Sequence, residues 1–450
     1  MSDSASIRRP NRLWDQLRPL GPYLGRYRRP LLLGALTLAC TNFFYVASPM
    51  VIRAAIDSFE QGLPTSSELL GYAGLLVGIA LASAFFRFWT RWILIGASRD
   101  IEYDLRNNLY QSLQRQSARF YSDWRVGDVM TRATSDMTHV RMVLGPGVMY
   151  TANALIMFPL TIGLMLYLDW RLTLLVLVPV PFVSAAMRVL GKKIHDYSER
   201  IQAKFSTLTA RVQENLAGVR LLRAYNQEQA EENAFARLNR DYVDENMRLI
   251  NFQALLWPAL MALLYVSFLL VLWLGGRAVL AERISVGDLY AFSHYLGLLI
   301  FPMIALGWVI NLFERGAASM QRIQQLLTAT PGITDRARVE APGSIRGTIE
   351  FRRLSFSYNG VPVLKDVNLT IPAGSTVAVV GPTGAGKSTL THLIGRLYDA
   401  PDGTVLVDGR PVASHRLEVL RGAIGYVPQE TFLFSDTLRG NIALGAPQAA

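Results

Sequence analysis

Six stretches of this chain run without a charged side chain: Leu31–Ile52, Leu69–Phe86, Val143–Leu168, Leu172–Met187, Ile250–Gly276 and Leu289–Phe313. A helix needs about 20 apolar residues to cross the hydrocarbon core of a bilayer. Four of the stretches reach that length unaided. The second and fourth reach it only by running past Arg87 and Arg188, whose aliphatic stems let the charged head snorkel to the interface. The sequence therefore predicts six spans, at 31–52, 69–90, 143–168, 172–191, 250–276 and 289–313, with a buried core helix as the competing reading for the two short ones. Composition agrees, since 51% of the residues are hydrophobic and only 18% are charged, a balance that soluble chains of this size seldom show. Met1–Arg29 holds seven arginines and no apolar core, which is not the pattern of a cleavable signal.

Lysines and arginines set the orientation. Met1–Pro30, Arg87–Met142 and Arg188–Leu249 carry 7, 9 and 11 of them, while Arg53–Glu68, Asp169–Arg171 and Arg277–Asp288 carry 1, 1 and 2. Basic residues are retained on the cytoplasmic side. The N-terminus, both long loops and the C-terminal portion are thus expected there, in a multi-pass protein. The same placement argues against nucleic acid as a partner for a chain of net charge +11, because the cations edge the spans and do not cluster with aromatics on one face. The long loops read as helices: Ile101, Leu105, Leu109 and Leu113 recur at helical spacing with charges between them. The spans should continue as helical arms that turn near Phe120–Asp128 and near Arg223–Glu228, with Glu231 facing solvent.

After a polar linker at 331–345 with two Pro-Gly pairs, the pattern changes to strands, expected at Thr348–Phe351, Leu354–Tyr358, Val367–Ile371, Thr376–Val380, Thr404–Val407 and Ile424–Val427. Asp402-Gly403 and Asp408-Gly409 are turn signals. Between the strand Thr376–Val380 and an expected helix lies Gly381-Pro382-Thr383-Gly384-Ala385-Gly386-Lys387-Ser388, the phosphate-binding pattern G-x-x-x-x-G-K-[ST]. Glycines let the backbone wrap a polyphosphate so that successive amides and the helix N-terminus face the anion. Lys387 would supply charge to the outer phosphates and the Ser388 hydroxyl would ligand Mg²⁺. The lone Cys40, inside the first span, excludes disulfides and cysteine metal clusters.

Six spans, a linker, Ser355-Phe-Ser-Tyr358, Gly381–Ser388 and Tyr426-Val-Pro-Gln429, in that order, resemble a half-transporter of the ABC exporter superfamily, closest to bacterial multidrug and lipid exporters with fused membrane and nucleotide-binding domains. Gly127-Asp128, Gln213–Arg220 with Ala224-Tyr225, and Gly287-Asp288 resemble the family's cytoplasmic loops and the entry to its sixth span. The resemblance implies a membrane domain at 1–330, of six transmembrane helices with long cytoplasmic extensions, followed by the N-terminal part of an α/β P-loop nucleotide-binding domain at 346–450. It implies ATP and Mg²⁺ as cofactors and the cytoplasmic membrane of a bacterium as the location. Tyr358 is implied to stack on adenine, against a competing place in the core. Gly384, Gly386, Lys387, Ser388 and Thr389 would form the phosphate cradle, and Gln429 would reach Mg²⁺ and the attacking water.

The chain also departs from the pattern. An LSGGQ-type signature, a Walker B strand with its catalytic glutamate, and a switch histidine are all missing after Gln429, where the one aspartate is Asp436. The expectation is a piece of a longer parent, which would hydrolyse ATP while the chain as given does not. Two functions remain open: an ATP-driven exporter of an amphipathic or hydrophobic substrate, working by alternating access with a second half-transporter (identical or not), or a membrane regulator or channel that nucleotide gates. Asn42, Tyr45, Asn153, Gln253, Tyr265, His294 and Asn311 are the polar and aromatic candidates for a substrate cavity.

Overall fold

The computed structural model describes residues 13–60, 62–335, 345–429 and 431–445, without the side chains of 179–189, 256–257, 260, 263–264, 303–304 and 306. Most of the expected linker at 331–345, the N-terminal arginine-rich residues 1–12 and the last five residues of the expected nucleotide domain lie outside the described residues. Two compact units emerge. One comprises Leu20–Ile101 and Arg141–Gly316; the other gathers the chain up to Pro19, Glu102–Val140 and the chain from Ala317 onward.

Long helices dominate the first unit: α1 (Arg28–Glu60), α2 (Ser66–Gln114), α3 (Ala118–Asp123, in the other unit), α4 (Val126–Leu168, with π turns at Arg132–Asp136 and Val143–Gly147), α5 (Trp170–Leu177), α6 (Pro179–Ala217), α7 (Val219–Ala224), α8 (Glu228–Leu270) and α9 (Val286–Leu327). Among the described residues α1, α2, α4 and α9 are each long and apolar enough to cross a membrane. The fourth and fifth expected spans fall on α5 with α6, and on α8 with its continuation through Val271–Gly275 to Leu280. Six spans therefore stay a proposal.

Local chemistry fixes where these helices start. Thr65 and Glu68 form a reciprocal cap, the Thr65 amide donating to Glu68 Oε2 at 2.8 Å while the Glu68 amide reaches Thr65 Oγ1 at 3.4 Å. Ser285 and Asp288 repeat the arrangement at the start of α9. Asp288 also takes an ion pair from Arg53 at 2.7 Å. Gly287 lies so close to α1 that a Cβ would strike the Arg53 carbonyl and the Asp57 carboxylate, and its amide donates to Asp57 Oδ1 at 3.0 Å. Asp169 breaks the chain between α4 and α5, and its side chain accepts from the Leu172 amide. The apolar core of the unit centres on Phe292, Tyr295 and Leu296, with Met157, Met165 and Val271 against them. The buried Tyr295 hydroxyl donates to the Val46 carbonyl at 3.0 Å.

The two turns expected between the helical arms fall where the periodicity breaks. α2 ends at Gln114, α3 follows, and the chain bends through Trp124-Arg125, with the Arg132 guanidinium 4.4 Å above the Trp124 ring. The second turn is Tyr225-Asn226-Gln227, with Asn226 at φ +53° and Tyr225 70% exposed. α6 and α8 pair alongside it through Lys204–Asp241 and Arg211–Glu231. Glu231 is not the solvent-facing residue expected from sequence: Arg211 and Asn215 both donate to it, and only 20% of its side chain is exposed.

The nucleotide portion builds one antiparallel sheet in the order β2-β1-β3-β4, from β1 (Ile349–Tyr358), β2 (Val361–Ile371), β3 (Val405–Val407) and β4 (Arg410–Pro411). β1 unites the two strands expected at Thr348–Phe351 and Leu354–Tyr358. Arg353, at φ +45°, kinks it as a bulge, and its amide turns aside to Asn368 Oδ1 at 2.8 Å. Asn359-Gly360, both left-handed, make the two-residue hairpin to β2, which starts six residues earlier than expected. Asp408 closes β3 onto the start of β1 by accepting the Arg346, Gly347 and Thr348 amides. Burial would raise its carboxyl pKa, but those three donors and nearby His415 hold it below the ordinary range.

Thr376–Val380 and Ile424–Val427 form no ladder among the described residues, contrary to expectation. A ladder needs a neighbouring strand to take the N–H and C=O groups, and no described strand runs beside either segment. Val380 and Val427 are 91% and 90% exposed as a result.

Candidate nucleotide site

Gly381–Gly386 leads into α10 (Lys387–Ile394), the helix expected after the octapeptide. Gly384 and Gly386 both sit at φ +84°, a conformation that side chains rarely adopt. Gly386 is constrained twice, since a Cβ would also come within 2.7 Å of Leu364 on β2. The loop is thereby pressed onto the hairpin with its concave backbone outward. The amides of Gly386, Lys387, Ser388 and Thr389 have no backbone acceptor among the described residues, as befits the first turn of a helix. An anion there meets both the free N–H groups and the positive end of the helix dipole.

Lys387 folds back over the loop and donates from Nζ to the carbonyls of Gly381 at 2.9 Å and Pro382 at 2.8 Å. It holds the loop's shape with neutral acceptors. A phosphate oxygen would replace them with a charged one, and charge-assisted hydrogen bonds are roughly twice as strong as neutral ones. Ser388 is exposed beside it, and its hydroxyl makes no hydrogen bond among the described residues, which suits a Mg²⁺ ligand. Thr389 is buried under the loop, and Tyr358 donates to its hydroxyl at 3.5 Å.

Tyr358 ends β1 at the hairpin and belongs to an aromatic series that the sequence did not single out. Its ring meets Tyr398 edge-on at 4.9 Å and Phe356 at 5.0 Å. Tyr398 lies 6.1 Å from His392 on α10, and His392 lies 6.5 Å from Tyr426. Burial pushes the Tyr398 hydroxyl above its ordinary pKa, with further contributions from Tyr358 and from the carboxylate of Asp123, at the end of α3. No motif marked Tyr398 in advance; only its recurrence beside apolar residues after α10 could have done so.

Gln429 is exposed and makes no hydrogen bond among the described residues. The structure brings its segment to α10 through Tyr426 and His392 but does not join Gln429 itself to Ser388.

Residues 31–303 match the family described as the ABC transporter transmembrane region, and residues 364–448 match the one described as ABC transporter. This chain belongs to the ABC transporter family. The transporter is 32% identical over 428 residues to the Multidrug resistance-like ATP-binding protein MdlA of Escherichia coli, covering 95% of this chain and 72% of that protein. It is 32% identical to the Probable multidrug resistance ABC transporter ATP-binding/permease protein YheI of Bacillus subtilis, over 97% of this chain and 75% of the relative. It is 31% identical to an ATP-dependent lipid A-core flippase of Syntrophus aciditrophicus, over 88% and 66%. The transporter carries its membrane region and its ATP-binding region in one polypeptide, as a fused half-transporter does.

For this transporter, Tyr358→Ala is expected to weaken ATP binding by about 1–3 kcal/mol, the scale of base–aromatic stacking, and to leave tripolyphosphate binding unchanged. Titration calorimetry with both ligands reads the difference. An unaltered ATP affinity would return Tyr358 to the aromatic core formed with Phe356 and Tyr398.

Proposed function

We propose that the transporter exports an amphipathic or hydrophobic substrate across the cytoplasmic membrane of a bacterium, by ATP-driven alternating access in a dimer of half-transporters. The observation that carries this reading is the loop Gly381–Ser388, shaped by two left-handed glycines and closed by Lys387, in the same chain as the apolar spans. The relatives named for multidrug resistance and for lipid A-core flipping support export over gating.

In this reading Gly381, Pro382, Thr383, Gly384, Ala385 and Gly386 cradle the phosphates with the Ser388 and Thr389 amides, Lys387 neutralises charge as it develops, and Tyr358 grips the base. Mg²⁺, when bound, offsets charge on the phosphates and would be held by Ser388, with Gln429 completing the site. N- and C-termini face the cytoplasm in this reading, which the distribution of arginine and lysine supports. The turns at Phe120–Asp128 and at Tyr225–Gln227 would carry motion between nucleotide and membrane domains, with Gln429 at the receiving surface.

Uptake of an amphipathic dye into inside-out vesicles carrying the full-length parent tests the proposal. ATP should drive accumulation against the dye gradient, and Lys387→Ala vesicles should show none. ATP-dependent ion conductance without uphill accumulation would instead make the protein a gate.

A further inference from the structure

In the membrane unit, Arg53 is paired with Asp288 at 2.7 Å and Arg283 with Asp169 at 3.1 Å. Arg87 and Arg91 are not. They lie one turn apart on α2 and make no ion pair among the described residues. Arg87 has only the face of Tyr45, 5.5 Å from its guanidinium. Both arginines line a cavity of about 360 Å³ walled by α1, α2, α4 and α9, and both also line an adjoining one of about 610 Å³. Among the described residues no carboxylate lines either cavity.

A third donor converges there. Asn42 lines the smaller cavity, is 5% exposed, and buries its Nδ2 amide without an acceptor. Folded proteins rarely leave such a donor unsatisfied. Two cations and a starved donor, with no negative group among the lining residues, call for a ligand that brings the negative charge. Leu38, Met157, Leu298 and Phe301 give the cavity an apolar wall, beside the polar Thr41, Thr90 and Asn153. Depth fits as well. Arg87 lies 21 residues beyond Ser66, about 30 Å along the helix, where a hydrocarbon core of about 30 Å gives way to head groups. In the orientation proposed above, that is the cytoplasmic leaflet.

We propose that this cavity binds the phosphate or carboxylate head of an anionic amphiphile, with Arg87 and Arg91 pairing the charge, Asn42 donating to it and the apolar wall receiving the chain. This deepens the export reading by naming the head group of the cargo, and it rests on that reading. Cationic amphiphiles are disfavoured, because Arg87 and Arg91, with no carboxylate among the described lining residues to offset them, repel a like charge.

The test uses the whole chain in phosphatidylcholine nanodiscs, without nucleotide, titrated with radiolabelled dodecyl phosphate. Saturable binding is expected, weakened at least tenfold in the double variant Arg87→Gln, Arg91→Gln and restored by lysine at both positions. Dodecyltrimethylammonium should not compete. Parental affinity in the glutamine variant with its helical circular dichroism intact would overturn the proposal. So would better displacement by dodecyltrimethylammonium than by unlabelled dodecyl phosphate, measured on the unaltered chain and thus independent of how any variant folds. Phosphatidylglycerol in the nanodiscs separates two sources of the same chemistry: competition assigns the site to a bilayer lipid, and its absence to a free amphiphile. Because no ATP is present, failure here leaves ATP-driven export standing. Intact binding with failed dye uptake would sink export and keep the head-group site.

Discussion

Lys387→Ala should lower the affinity for MgATP by about ten- to a hundredfold and abolish hydrolysis in the full-length parent. The affinity term follows from losing a charge-assisted hydrogen bond, worth about 1.5–3 kcal/mol. The structure adds a second effect. Lys387 already ties the Gly381 and Pro382 carbonyls together, so alanine removes the loop's internal brace as well as its charge. Membrane insertion and helix content should stay parental, because the hydrogen bonds of the Lys387 side chain among the described residues lie within its own loop. Equilibrium dialysis with labelled ATP and a phosphate-release assay check the two halves. Normal turnover in the variant would remove Lys387 from the site.

Tyr225→Ala should uncouple the two domains. Tyr225 closes α7 at the tip of the turn between α7 and α8 and presents 70% of its surface, so its loss costs the fold little. ATP binding and basal hydrolysis are expected to survive in the full-length parent, while substrate-stimulated turnover falls to the basal rate and dye accumulation is lost. Glu231 cannot serve as the neutral control that its sequence position suggests, since Arg211 and Asn215 hold it. Exposed Glu232, changed to Gln, is the better comparison. Substrate stimulation at the parental level in Tyr225→Ala would show that this turn transmits nothing.

Much of the site was legible because its residues answer to local rules. Gly384, Gly386 and Lys387 are dictated by backbone geometry and charge within eight positions, and the loop forms where the motif stands. The helical arms were legible for the same reason, since Ile101, Leu105 and Leu109 repeat at helical spacing and are each buried. What the sequence hid depends on distant partners. Thr376–Val380 reads as a strand by composition, yet a strand exists only when another lies beside it. Asn359-Gly360 is a hairpin signal that passed unmarked, and so β2 was expected to begin at Val367. Arg87 looked like a residue to be tolerated at the end of a short span. Only the packing of α1, α4 and α9 around α2 turns it and Arg91 into the wall of a cavity.

Helix α4 is kept in a reading frame. A π turn holds one residue more than an α turn, so the π turn at Val143–Gly147 alone rotates each side chain beyond it by about 100° from the direction an α turn there would give. Pro146 lacks the N–H that would tighten the turn, and Gly145 and Gly147 are pressed against Ser98 and Leu312, where a Cβ would meet atoms at 2.7 and 3.0 Å. Met157, Thr161 and Met165, all buried, are aimed inward by that offset. Removing any one residue from Val143–Gly147 would leave the span as apolar as before, yet would swing these three toward a different side of the helix. Length variation in this family's spans should therefore be absorbed at their ends and in loops, and homologues that lack a residue here should carry their inward-facing positions shifted by one along the rest of the helix.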